Sequence, residues 1–352
     1  MSATQIAQGG RGVTWTRRLR GLLRQFDWRI PLALGATYVF FGSGAAAIKA
    51  AIMSFPPLGL GAIRGLIAGT LLLVWGLRSG TERPSKRQLL RAAAVGVLML
   101  AVGNSCGMLG QRTIPSGIAG VLSALLPLVA SCLGYVLFRE KLARKAVIGL
   151  AVGFGGVALL LRPGSNLDPF GLMLIGVGQV AWALGAVLAP RLGLPEDPRV
   201  AAGAELLGGG AVVTVVAAAW GDFGAIDLGA VKLESWAGFG WLIISAVAGF
   251  TAYGYLAGRV SCAVATTFSY VNPVIAMFLG WLLFAEPVTW LMVLAITVIV
   301  AGVCLIVSTR TESPCYTQHP LTSGVGHIYI VRGRGKPLLL VDVPASNLRS
   351  AE

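Results

Sequence analysis

Apolar stretches of about 20 residues, scarcely interrupted by charge, follow one another along most of this chain. That length suits a helix crossing a hydrocarbon core of roughly 30 Å. No single soluble core could absorb so many such segments. With 12% charged residues against 56% hydrophobic ones, the chain also lacks the polar surface that water demands. The solvent is therefore lipid, and the expected fold class is an all-α polytopic membrane protein.

Hydropathy places spans at roughly 31–53, 57–77, 92–111, 116–138, 144–162, 169–190, 200–220, 237–258, 262–284 and 288–308. The net charge of +14 would suggest nucleic acid in a soluble protein, but stacking aromatics are missing from the basic runs. Its placement instead fixes topology. Arg11, Arg17, Arg18, Arg20, Arg24 and Arg29 precede the first span, and Arg78, Arg83, Lys86, Arg87 and Arg91 follow the second. The positive-inside rule puts both termini in the cytoplasm, with about 23 basic residues inside and about three outside. The expected partition is a basic cytoplasmic segment at 1–30, two membrane halves at 31–162 and 169–308, and a cytoplasmic tail at 309–352. Thr14–Phe26 reads either as an amphipathic helix on an anionic membrane face or as a solvated tail. No secretory cleavage site follows the basic region.

Sliding the chain by 146 positions aligns Ser116–Leu161 with Cys262–Val307 without a gap. Ala119 and Ala265, Ser123 and Ser269, Pro127 and Pro273, Gly134 and Gly280, Phe138 and Phe284, and Glu140 and Glu286 coincide. Apolar helices share a small alphabet, yet a register that matches Pro, Gly and Glu points to duplication. About ten transmembrane helices then form two five-helix repeats. Five is odd, so the second repeat is inverted relative to the first, a construction recurrent in secondary transporters.

Pro127 and Pro273 lie mid-span and serve as candidate gating kinks, each freeing the carbonyl of the serine four residues earlier. They either line a cavity or merely kink the helix. Charges inside spans count as functional candidates by default. Arg64 is one. Glu205, the only carboxylate well inside a span, is the candidate coupling group, unless it is a helix-end acid favoured by the helix dipole. Glu140 and Glu286 read as caps on the helix that follows each of them. Polar and aromatic residues in other spans, Tyr38, Asn104, Gln179, Trp182, Thr251, Tyr253, Tyr270 and Asn272, would build a largely apolar pocket or glue helices together. Glycines at four-residue spacing, Gly103/Gly107 and Gly254/Gly258, allow close helix approach. The five cysteines show no metal or CxxC spacing, and no phosphate loop, His-rich motif or nucleophile elbow occurs. No cofactor, no metal and no catalytic residue is expected, and transport would run on gradients or passively.

The segments PPLGLGAIRGLIAGTLLL at 56–73, VGNSCGMLGQRTIPSGIAGVLSALLPL at 102–128 and SYVNPVIAMFLGWLLFAEPVT at 269–289 resemble the drug/metabolite transporter superfamily, in particular its EamA-like ten-span proteins. The resemblance covers roughly residues 31–308. It implies inner-membrane export of amino acids, metabolites or drug-like compounds around a central cavity. On that pattern Tyr38, Asn104, Ser123, Trp182, Tyr253 and Tyr270 become the substrate-binding residues, with Asn272 beside them. Where the family often has Trp-Gly in the first span, this chain has Phe41-Gly42. The tail lies outside the resemblance; its HIYIV and PLLLVDV, flanking RGRGK, could form a hairpin, although an isolated hairpin is marginal in water, and disorder or docking onto the cytosolic face are the alternatives. The expected partners are a small-molecule substrate and membrane lipid, the chain acting as monomer or homodimer. The rival class is an intramembrane enzyme acting on lipid or prenyl-linked substrates, which would need clustered acids or histidines at one face.

Overall fold

The computed structural model describes residues 27–79, 83–139, 143–160, 167–257, 259–260, 264, 267–307, 330–333 and 336–339. The segment Thr14–Phe26, Glu140 and Gly258 lie outside these residues. The first half contains α1 (Arg29–Gly42), α2 (Gly44–Ile52) and α3 (Pro57–Arg78), then α4 (Lys86–Gly96), a π-helix (Val97–Asn104) and α5 (Ser105–Gly110). It closes with α6 (Ser116–Ser123), α7 (Leu126–Phe138) and α8 (Arg144–Leu160). The second half contains α9 (Pro169–Leu188), α10 (Pro198–Trp220), α11 (Leu233–Ala257), α12 (Phe268–Phe284) and α13 (Trp290–Val307).

Among the described residues, seven helical stretches are long and apolar enough to cross a membrane: Arg29–Ile52, Pro57–Arg78, Lys86–Gly110, Ser116–Phe138, Pro169–Arg191, Pro198–Trp220 and Leu233–Leu256. The helices α8, α12 and α13, of 17, 17 and 18 residues, are shorter. Local chemistry explains where helices begin. Ser85 and Gln88 form a reciprocal capping box on α4, Asp168 and Asp197 cap α9 and α10, and proline occupies the first turn of α3, α9 and α10.

The two repeats form one compact unit, because each packs mainly on the other. The two heaviest pairings join equivalent helices, α3 with α10 and α8 with α13, and α6 packs on its equivalent α12. In each case the glycine contacts run antiparallel. Gly65 meets Gly210 and Gly76 meets Val200; Gly149 meets Gly302 and Gly156 meets Ile299; Gly117 meets Met277 and Gly120 meets Ala276. Equivalent helices that pack antiparallel make the repeats inverted, as the odd span count required. The remaining pairs obey the same exchange: the π-helix and α5 pack on α9, while α11 packs on α1 and α2. Even the helix ends match, since Arg139 and Ala285, 146 positions apart, both close their helices at positive φ, 53° and 51°.

Small side chains make these pairings possible. A Cβ on Gly69, Gly203, Gly96 or Gly209 would fall within 3 Å of backbone on the facing helix, so the close backbone approach depends on glycine. Gly178 of α9 sits against the backbone of Gly103 and Gly107 in the same way, and Gly254 against Pro198.

Two sequence expectations need correction. Pro127 does not kink a continuous helix: the span breaks at Ala124 and Leu125, and Pro127 occupies the first turn of α7, where its missing N–H costs nothing. Pro273, its repeat mate, does lie inside a helix. Glu286 does cap a helix, but not the one that follows it. Its Oε1 accepts from the Ser116 amide at 2.7 Å and hydroxyl at 3.0 Å, and its Oε2 from the Gly117 amide at 2.9 Å. The antiparallel pairing of α6 and α12 brings the end of one helix to the start of the other.

Asp222 beyond α10 does the same for α3, accepting from the Leu58 and Gly59 amides at 3.0 Å each. Lys49 of α2 donates to the Gln111 carbonyl at 3.0 Å, and Thr113 to Asp168 at 2.7 Å. By the direction of the helices these four contacts fall on one face of the bundle. The Thr113 hydroxyl, followed by the Gly171 amide, holds the Asp168 carboxyl below the usual carboxylate range. A depressed folded pKa stabilises above the unfolded value of about 3.9 and ceases to do so as pH falls through the lower folded value. Thermal unfolding should therefore find Asp168→Ala less stable than the parent at neutral pH, with the gap closing under strong acid.

In the tail, Ile330–Gly333 and Lys336–Leu339 pair antiparallel, Gly333 opposite Lys336, within a second compact unit. This is the hairpin that the RGRGK loop suggested.

Candidate functional site

Two groups of side chains come together inside the helical body. The first gathers where α1, α11 and α12 meet. The Thr267 hydroxyl donates to the Val264 carbonyl at 2.7 Å, so the 2.7 Å contact between Thr267 and Tyr38 is donated by the tyrosine. Phe41 stands edge-on to Phe268 at 5.1 Å and to Phe250 at 5.8 Å, and Tyr253 edge-on to Phe268 at 5.8 Å. These T-shaped contacts are a favoured aromatic geometry. Phe41, at the position where the resemblance led one to expect tryptophan, retains an aromatic packing role.

The second group lies between α3, the π-helix and α10. A small cavity there, with room for about one water, is bounded by Arg64, Asn104 and Ser105, with Gly61, Leu100 and Gly210 completing the wall. Arg64 Nη1 is sealed from solvent and has no hydrogen-bond partner. The Asn104 amide makes only a long contact to the Met108 sulfur, 3.7 Å, and the Ser105 hydroxyl a long one to the Leu100 carbonyl, 3.4 Å. Leu100 and Leu206 belong both to this wall and to an apolar cluster containing Trp182 and Phe250. Through Phe250 that apolar cluster also touches the aromatic group.

The expected site residues fall out unevenly. Tyr38 and Tyr253 share the aromatic group; Asn104 lines the cavity, and Trp182 packs over Gly103 beside it. Ser123 directs its hydroxyl to the Gly120 carbonyl of its own helix, at 2.6 Å. Asn272 carries a buried carbonyl oxygen without a partner. Tyr270 lies within α12, but its side chain is outside the described residues. Glu205 sits nearly two turns into α10, deeper than the hydropathy boundary implied, on the face that abuts Gly96. Sequence reasoning missed Thr267, Ser105, Phe250 and Phe268. A short serine or a phenylalanine in an apolar helix is an ordinary packing residue until its neighbours are known.

The profile of the EamA-like transporter family matches this sequence twice, over residues 28–162 and 169–308. The chain belongs to the EamA-like transporter family. It is 37% identical over 296 residues to YedA of Escherichia coli K12, described as an uncharacterized inner membrane transporter, a match spanning 82% of this chain and 92% of that protein. A protein of Streptantibioticus cattleyicolor, described as a probable terminal-alkyne amino-acid exporter, is 24% identical over 276 residues, 78% of this chain and 92% of its own. Among solved structures, one crystal structure superposes with a TM-score of 0.58 at 18% identity, over 79% of this chain and 96% of the other; it shows the fold alone. Both EamA-like repeats contribute to each group of side chains. Tyr38 and Phe41 from the first meet Thr267 and Phe268 from the second, and Arg64 and Asn104 share a cavity wall with Gly210.

Proposed function

We propose that this protein is a secondary transporter of the inner membrane that exports small metabolites, such as amino acids or drug-like compounds. It works by alternating access of its two inverted repeats, with both termini cytoplasmic. The observation that carries this reading is the antiparallel pairing of equivalent helices. Exchanging the roles of the repeats converts a state closed on one face into its mirror of similar energy. In the present structure Glu286, Asp222 and Lys49 tie one face together, as a protein closed on that side would require.

In this scheme Tyr38, Asn104, Ser123, Trp182, Tyr253, Tyr270 and Asn272 contact the solute, and Pro127 and Pro273 mark the points at which their helices bend or break. Glu205 is the coupling group: a carboxylate at that depth can carry a proton, and among the described residues no other acid lies so far inside a helix. The relative described as a probable terminal-alkyne amino-acid exporter supports the substrate class. Purified protein in liposomes should move a mixed amino-acid and drug panel under an imposed gradient; no movement under any ion gradient would refute the proposal. With Glu205→Gln, acceleration by a pH gradient should fall to the passive rate. If the mutant keeps the parent's pH-gradient response, Glu205 is not the coupling group.

A further inference from the structure

Arg64 is the costliest side chain in the bundle that the transport scheme leaves without a task. It is the eighth residue of α3, so it lies about 10 Å down the helix axis at 1.5 Å per residue. A guanidinium at that depth keeps its charge and five N–H donors, and such a group persists where it is paired or faces a solute pathway. Here Nη1 has no hydrogen-bond partner, and the cavity beside it is walled by glycine, leucine, valine, Asn104 and Ser105, without a carboxylate. Among the described residues the only ion pair is Asp197 with Arg199. Glu205 of α10 forms no ion pair with it. Gly65 faces Leu206 and Gly210, whereas the backbone of Glu205 lies against Gly96.

The wall opposite is also unusual. The helix between α4 and α5 widens into a π-helix from Val97 to Asn104, a local form that recurs at functional sites. The widened turn ends on Asn104, with Ser105 next, and both make only the long contacts given above. Each is free to turn to a better acceptor. Gly61 and Gly210 line the space beside the guanidinium, and the apolar cluster that shares Leu100 with this wall reaches the aromatic group through Phe250.

We infer that Arg64, with Asn104 and Ser105, is the subsite that receives the carboxylate of the transported solute. This rests on the transport reading above and narrows its substrate class to acids and zwitterions. The geometry favours a carboxylate over a phosphate. A guanidinium edge offers two parallel donors to the two oxygens of a carboxylate, and one positive charge matches one negative charge; the water-sized space beside Nη1 widens to admit it as the repeats exchange. The solute's body then lies toward the apolar cluster that holds Leu100 and Phe250, and an organic cation is disfavoured by Arg64 itself.

The test uses the full chain in proteoliposomes, with the twenty amino acids and, in parallel, their carboxamides as probes. The parent protein should move acids faster than the matching carboxamides by about tenfold or more, the factor that a charge-assisted hydrogen bond supplies. Arg64→Gln should erase that preference by slowing the acids and sparing the amides, while Arg64→Lys should retain part of it. The comparison on the parent protein stands even if Arg64→Gln fails to fold. Equal rates for acids and amides in the parent, or an undiminished preference in Arg64→Gln, would overturn the inference and leave the transport reading intact. Movement of neither set would overturn the transport reading and the inference with it.

Discussion

Glu286→Ala should lower the stability of the purified protein by about 2–4 kcal/mol, because one carboxylate serves three donors at the start of α6. Ser116 and Gly117 open that helix, and the first amides of any helix have no partner within it. The residue before Ser116 is Pro115, which offers no side-chain acceptor, and the helix makes no cap of its own. The acceptor comes from the far repeat. Removing it strands two amides at a partly buried helix end and separates the ends of α6 and α12. Glu286→Gln keeps one acceptor oxygen but neither the charge nor the second oxygen, and should fall between. Thermal unfolding in detergent reads both. An Ala variant within a few tenths of a kcal/mol of the parent would mean that water replaces the carboxylate, and that the link between the repeats is incidental. The same measurement on Asp222→Ala, which leaves the Leu58 and Gly59 amides bare, should show a smaller loss, since two donors are involved instead of three.

That link illustrates which parts of the molecule could be read from sequence. The helices could, because lipid imposes a length of about 20 apolar residues on anything that crosses it. The duplication could, because Pro, Gly and Glu kept a common register; the matching positive φ at Arg139 and Ala285 is its backbone counterpart. Glu286 was recognisable as a cap from its place at a helix end. Its partner was not, since sequence order suggested the next helix while antiparallel packing supplied α6. The glycines of α3 and α10 likewise announced close approach without saying to what. Proline shows the same limit: Pro127 and Pro273 are equivalent in sequence, yet one starts a helix and the other lies inside one. In the site, charge made Arg64 conspicuous, and polar character picked out Asn104 and Tyr38. The π-helix that carries Asn104 to the cavity left no pattern, for VLMLAVGN reads as any apolar turn. Thr267 and Phe268 acquire their roles only from Tyr38 and Tyr253 across the bundle.

The seam between α4 and α10 supports the other large expectation. Gly96→Ala would place a methyl 1.9 Å from the Glu205 carbonyl oxygen, 2.5 Å from its carbon and 2.7 Å from its Cα. These are backbone atoms, which cannot swing aside as a side chain can. The neighbouring contacts offer no room either: a Cβ on Gly209 would meet the Gly96 carbonyl at 2.5 Å, and one on Gly208 would meet Ala93. The two helices must therefore part along their length. Overpacking of this kind costs about 1–3 kcal/mol, and more where backbone has to move. Alanine in place of a helical glycine returns roughly 1 kcal/mol through chain entropy, so the net effect stays destabilising. Gly35→Ala is the internal control. No atom lies within 4 Å of its Cβ position, and this change should be neutral or slightly stabilising. Thermal unfolding of the pair separates packing from propensity, because the propensity gain is common to both. The displacement should also reach function, since Leu100 and Asn104 lie one to two turns beyond Gly96 on the wall that faces Arg64. A Gly96→Ala protein that folds should therefore lose transport out of proportion to its loss of stability. If it kept the parent's stability and rate, α4 and α10 would have to separate freely, and the wall beside Arg64 would be too loose to hold a carboxylate.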